Sequence, residues 1–187
     1  MCTGIKTKTQ NKLNPKQYFV HLPISFSTLN LTPMKLKTTY NYNTTTENLW
    51  PLLFGSKMDK DKPCRFLFGL PKPMECKLEG ETGGIGKSRQ CISDKGTIQQ
   101  RIIEWEPQKV LSFEMAETDI YFGPCVESII ESFHLQEMGT NKSSITRTTE
   151  FKLKSNRFFL TIPIYIGLKN IHWYVFKNWN RIVTESK

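Results

Sequence analysis

Alanine is almost missing from this chain: Ala116 is the only one in 187 residues, while lysine, threonine, asparagine and isoleucine are plentiful. Such a bias belongs to the source of the chain and carries no functional signal, but it inflates the net charge of +9. No apolar run approaches the roughly eighteen residues of a spanning helix, which argues against a membrane span. Glycine (11) and proline (10) stand near average usage, so collagen-like and low-complexity architectures are excluded. None of the five cysteines (Cys2, Cys64, Cys76, Cys91, Cys125) forms a C-x-x-C pair, and His21, His134 and His172 are not in zinc-finger spacing. No metal site and no cofactor are therefore expected. The odd cysteine count reads most simply as reduced thiols in a cytoplasmic protein. A secretory leader is not expected either. The apolar stretch from Tyr18 to Phe26 is broken by His21 and Pro23 and lacks a small-residue cleavage site.

Acids are absent from residues 1–46, which carry six lysines and hence +6 of the net +9. The remaining residues hold 20 basic and 17 acidic side chains, close to balance. Recognition of a specific nucleic acid needs clustered charge on a folded face, and this distribution does not supply it. Residues 1–31 read as a basic N-terminal arm and residues 32–187 as one folded domain. With 38% hydrophobic residues, the chain can bury a genuine core.

Period-two alternation marks the strands. Leu36, Thr38, Tyr40 and Tyr42 alternate with Lys35, Lys37, Thr39 and Asn41. A short helix follows, capped by Thr44 or Thr45, with Glu47 closing a capping box and Gly55 ending it. Residues 56–80 are punctuated by Pro63, Pro71 and Pro73 and fit short extended pieces such as Met74 to Leu78. Lys87–Ser93 and Thr97–Trp105 form a hairpin around Asp94-Lys95-Gly96. Lys109–Glu117, Val126–Glu137 and Ser144–Lys154 continue the meander. Ile129, Phe133 and Leu135 share one face, as do Ile145, Phe151 and Leu153. Matching those faces requires an odd loop, which Gly139-Thr140-Asn141 provides. From Thr161 on, Ile164, Leu168, Ile171, Val175, Trp179 and Ile182 recur every three or four residues, an amphipathic helix of roughly six turns.

These elements imply an α+β domain: a curved antiparallel sheet wrapped around a long C-terminal helix, with short helices after the first strand. Thr45-Thr46-Glu47-Asn48-Leu49-Trp50-Pro51-Leu52-Leu53 resembles the first helix of the SRPBCC superfamily (START-like, helix-grip domains). Gly84 to Cys91, Arg101 to Pro107, Leu111-Ser112-Phe113 and Thr146–Phe151 resemble its polyketide cyclase/dehydrase-like branch. The resemblance spans about residues 35–185. It implies a helix-grip fold with a cavity for a hydrophobic small molecule: a lipid, isoprenoid, polyketide or aromatic. It equally admits a cyclase, dehydratase or hydrolase working in that cavity.

The glycine-rich segment Gly80 to Ser88 fails as a phosphate-binding loop. The pattern needs glycine where Glu81 stands, and the segment enters a strand and not a helix. It reads as a turn or bulge. Counting by twos places Glu131 with Phe133, and Arg147 and Thr149 with Phe151, on the apolar faces. Charges there must be paired or wet, so these five are the first candidates for ligand contact. Arg89, Glu104 and His172 are further candidates. Arg101 and Glu104 are expected on opposite faces of one strand. Cys91 reads as a small buried side chain. Trp50 and Trp105 read as core anchors. The surplus aromatics Phe158, Phe159, Tyr165, Trp173, Tyr174 and Phe176 leave a portal or a peripheral membrane contact open. A third reading makes the chain an interaction module that engages an acidic partner through Lys6, Lys8, Lys12 and Lys16. The sequence is silent on oligomeric state and on ligand identity.

Overall fold

Two long strands, β7 (Val126–Gly139) and β8 (Lys142–Leu153), lie in the register that their apolar alternation demands: Ile129 faces Phe151, Glu131 faces Thr149, Phe133 faces Arg147 and Leu135 faces Ile145. The loop itself is the two residues Thr140-Asn141. A bulge between Glu137 and Gly139 adds the odd residue that keeps both apolar faces on one side. The computed structural model describes residues 32–59, 67–80 and 82–185. The basic arm and its four lysines lie outside them.

Six further strands complete the sheet: β1 (Met34–Tyr42), β2 (Ser56–Lys57), β3 (Pro73–Leu78), β4 (Ser88–Ser93), β5 (Gly96–Glu106) and β6 (Val110–Thr118). The order is β1-β8-β7-β6-β5-β4-β3-β2, and every neighbouring pair is antiparallel. One connection departs from nearest-neighbour order, since β1 returns to pair with β8. A 3-10 turn (Ser155–Leu160) leads into helix α2 (Thr161–Glu185); Thr161, which the sequence offers as the helix cap, is instead its first residue, with helical backbone angles and its hydroxyl donating to the Phe158 carbonyl at 2.6 Å. Its 25 residues make about seven turns. No helix among the described residues is long and apolar enough to cross a membrane.

The short helix α1 (Thr46–Leu49) continues as a 3-10 turn through Leu53. No side-chain capping box forms. Glu137 of β7 accepts the Thr46 backbone N–H at 2.6 Å and its hydroxyl at 2.7 Å, so the helix start is satisfied from the sheet and not from Glu47. Those two bonds hold the Glu137 carboxyl below its ordinary range.

Helix α2 buries Ile171, Val175 and Trp179, as its stripe predicts, but also His172, Phe176, Asn178 and Val183. The buried face is thus wider than the stripe. Polar bonds fix it: Trp179 Nε1 donates to Ser56 Oγ at 3.1 Å, Asn178 Nδ2 to the Lys57 carbonyl at 3.0 Å, and Tyr174 Oη to the Asp59 carbonyl at 2.6 Å. Gly167 admits the segment before β3, because a Cβ there would stand 2.6 Å from the Leu67 carbonyl oxygen. The glycine-rich segment is a loop between β3 and β4. Within it Gly83 lies against the Trp105 ring, where a Cβ would come within 2.0 Å of the indole. Trp105 packs edge-on against Trp50 with ring centroids 5.1 Å apart.

The core is divided. A larger cluster joins Leu111, Phe113, Phe133, Ile145, Phe176 and Trp179, while a smaller one holds Ile120, Phe122, Val126, Phe151 and Leu153.

The cysteines correct the sequence reading. Cys76 and Cys91 are direct cross-strand partners on β3 and β4 and form a disulfide. Cys125 is disulfide-bonded as well. Reduced thiols were expected from the odd cysteine count, and residues 56–80 show no alternation from which a β3 register, and with it the pairing of Cys76 with Cys91, follows. Cross-linking residues 15 apart restricts the unfolded chain by about 3 kcal/mol. The double variant Cys76→Ser/Cys91→Ser is expected to melt about 6–12 °C lower than the parent by circular dichroism.

Candidate functional site

The cavity occupies the gap between the two core clusters. Its walls come from both: Phe133, Ile171, Val175 and Trp179 from the larger, Phe122, Val126, Phe151 and Leu153 from the smaller. The sheet is curled over α2 but does not fill the concavity. The cavity volume is about 130 Å³. Apolar side chains dominate the lining, among them Ile92, Ile98, Met115, Ile129, Ile164 and Leu168. Such a cavity favours an apolar occupant with a few oriented polar contacts.

Among the described lining residues three carry charge: Arg89, Glu131 and Arg147. Glu131 and Arg147 lie on the adjacent strands β7 and β8 and form a buried ion pair. Arg147 also covers the Phe133 ring at 5.2 Å. Arg89 comes from β4 on the opposite wall and is 4% exposed. Its Nη1 donates to Gln100 Oε1 at 2.6 Å, and the guanidinium stacks 4.3 Å from the Phe113 centroid. Burial pushes the Arg89 guanidinium down to about 9, partly opposed by the attraction of Glu131 and reinforced by the repulsion of Arg147. It stays cationic at neutral pH.

Behind the ion pair runs a directional chain of hydrogen bonds. Lys169 Nζ donates to Thr38 Oγ1 at 3.2 Å. His172 Nδ1 stands 3.0 Å from the same hydroxyl, and His172 Nε2 stands 2.8 Å from Thr149 Oγ1. Thr149 Oγ1 donates to Glu131 at 3.2 Å. One assignment satisfies every member. Thr149 gives its proton to Glu131, so it accepts from His172 Nε2–H, and Nδ1 then accepts from the Thr38 hydroxyl. His172 and Thr149 are both 0% exposed. Burial, then Arg147 and Lys169, drive the His172 pKa far below the ordinary histidine value and keep the ring neutral.

The structure thus brings Arg89, Glu131, Phe133, Arg147 and Phe151 to the cavity wall. Thr149 and His172 sit one shell back and orient Glu131. Glu104 is not brought there. Counting by twos from Ile98, Gln100 and Ile102 would turn it inward, but a bulge at Ile103 pairs Ile102 with Phe113 and Glu104 with Ser112. Glu104 is therefore exposed on the outer face and accepts a bond from Ser112 Oγ at 2.7 Å. The same bulge defeats the expected opposition of Arg101 and Glu104. Arg101 is also exposed and pairs with Glu114. Gln100 escaped the sequence reading, although pairing outward from Asp94-Lys95 sets it opposite Arg89. Cys91 lines the cavity as half of the disulfide and not as a free buried thiol. Among the described residues no group of three or more His, Cys, Asp or Glu is placed to hold a metal.

No protein-family model matches the sequence, and no curated protein does. Solved structures do share its fold. Ara h 8.0201 is similar with a TM-score of 0.59 at 12% identity, over 82% of this chain and 99% of that one. Norcoclaurine synthase from Thalictrum flavum, in complex with dopamine and hydroxybenzaldehyde, gives 0.55 at 15% identity over 95% and 99%. The Zhui aromatase/cyclase from Streptomyces sp. R1128 gives 0.54 at 13% identity over 81% and 96%. The fold is the helix-grip one that the SRPBCC resemblance implies.

A neutral buried histidine has a pH signature. Unfolded, His172 binds a proton below about pH 6.5, whereas folded it does not, so stability falls as pH drops through that value. Chemical denaturation is expected to show stability declining below pH 6.5. His172→Gln should remove up to about 1.4 kcal/mol per pH unit of that slope.

Proposed function

We propose that the protein binds a hydrophobic small molecule (a lipid, isoprenoid, polyketide or aromatic compound) in the cavity between the sheet and α2. The observation that carries this reading is the unfilled gap between two core clusters, walled mainly by Ile, Leu, Met, Val and Phe. A fold without a ligand has no reason to leave such space, because close packing of that gap would add stability. Arg89, Glu131 and Arg147 are the polar contacts for the ligand, and Phe133 and Phe151 are apolar ones. Thr149 and His172 act through Glu131.

An enzymatic reading uses the same cavity, and two proteins of similar fold carry enzyme names, norcoclaurine synthase and an aromatase/cyclase. Glu131 is the carboxylate among the described lining residues, and it is engaged by Arg147 and Thr149. That engagement favours holding a ligand over proton transfer. Phe158 and Phe159, 58% and 59% exposed before α2, suit a peripheral membrane contact during ligand exchange. The cytoplasmic setting expected from reduced thiols loses that support, since disulfides persist in oxidising compartments.

Native mass spectrometry of the gently purified protein tests the reading. A discrete added mass, extractable into organic solvent, is expected; alternatively, the stripped protein should take up an apolar fluorescent probe saturably. Ile129→Trp, which fills the cavity, should abolish either. Absence of both adduct and probe uptake in the parent protein would overturn the proposal.

A further inference from the structure

The charges in the cavity do not balance. Among the described residues two guanidiniums and one carboxylate face it, and Glu131 is committed to Arg147. Arg89 is held by Gln100, a neutral acceptor, and by the face of Phe113. Both Arg89 and Arg147 carry a buried Nε that meets no acceptor among the described residues. A buried N–H without a partner is costly, and a guanidinium left with excess charge in an apolar wall is more so. Native structures tolerate this where another molecule supplies what is missing.

Resting on the proposed function, we infer that the occupant is an amphipathic monoanion: an apolar body with one carboxylate or equivalent acidic head group, seated against Arg89 and reaching toward Arg147. The chemistry selects this class in three ways. Nη1 of Arg89 is taken by Gln100 and its buried Nε meets no acceptor among the described residues, so the guanidinium carries hydrogen-bonding capacity and charge that its neighbours do not fill, and a carboxylate is the planar acceptor that matches such a fork. The surplus among the described lining residues is a single positive charge, matching one negative charge and not the two of a phosphate monoester. The remaining described lining is mainly apolar, including Ile92, Ile98, Met115 and Phe122, and the hydroxyls of Ser56 and Ser93 are engaged with Trp179 Nε1 and the Gly96 carbonyl. Gln100 aims the Arg89 fork, and the Thr149–His172–Thr38 chain keeps Glu131 on Arg147, so that carboxylate does not swing across to neutralise Arg89.

Two probes with the same ring system separate the charge from the apolar body: 8-anilinonaphthalene-1-sulfonate, an anion, and N-phenyl-1-naphthylamine, uncharged. Fluorescence titration of the full chain reads both. The anion is expected to bind at least about tenfold more tightly than the neutral probe, the size of one charge-assisted interaction. Arg89→Met should remove about that factor for the anion and leave the neutral probe within about threefold. Arg89→Lys, which keeps the charge, should keep most of the preference. Thermal melting verifies that each variant folds, and the parent comparison needs no variant. Equal binding of the two probes by the parent protein, or an Arg89→Met variant that keeps the anion preference, would overturn the inference while leaving a hydrophobic ligand in place. Uptake of neither probe would overturn both.

Discussion

A carboxylate and a guanidinium facing each other on neighbouring strands, inside an apolar concavity, set the terms for what surrounds them. Removing both charges from water costs several kcal/mol per ion, and mutual attraction recovers it only when the remaining polar atoms are satisfied. Here the satisfaction passes outward from Glu131 through Thr149, His172 and Thr38 to Lys169. Those residues belong to β7, β8, α2 and β1. The helix is therefore held to the sheet by a polar seam as well as by its apolar stripe, and its rotation about its own axis is fixed by His172. That explains a buried face wider than the spacing of Ile171, Val175 and Trp179 alone would make.

The opposite wall obeys a different rule. β4 and β5 bring Arg89 and Gln100 into the cavity without a carboxylate of their own. The sheet is long enough, and curled enough, for Arg89 on β4 to cover Phe113 on β6 while Arg147 on β8 covers Phe133 on β7. The two aromatic rings have centroids 5.7 Å apart, and of the two Phe133 reaches the cavity wall. The described charged lining residues all come from the sheet, Arg89 from β4, Glu131 from β7 and Arg147 from β8, whereas α2 contributes Ile164, Leu168, Ile171, Val175 and Trp179.

Much of this was legible in the sequence where one face of a strand is buried and the other is not. Strict alternation in β1, β7 and β8 fixes their register, and it placed Glu131, Arg147 and Thr149 inward. Alternation fails wherever a bulge intervenes, and Ile103 is enough to send Glu104 outward. It is also mute where neither face is well buried. The half-buried β3 shows no pattern, and its cross-strand Cys76–Cys91 bond was invisible. The start of α1 went wrong for a third reason: Glu47 stood in the right local place, but Glu137, distant in sequence, reached Thr46. Local motifs lose to tertiary contacts that no window contains.

The position of β1 at the far edge has a kinetic cost. Met34 pairs with Phe151 and Tyr42 with Ser143, roughly a hundred residues downstream. Synthesis at about 5–20 residues per second leaves β1 waiting some 5–20 seconds for its partner strand. During that interval Leu36 and Tyr42, fully buried at the end, are open to water, and so is an unpaired strand edge. Pairing so distant in sequence is slow to nucleate for the entropic reason that a long loop must close first. The seam that neutralises Glu131 and Arg147 includes Thr38 of β1, so the charged interior is the last part of the molecule to be completed.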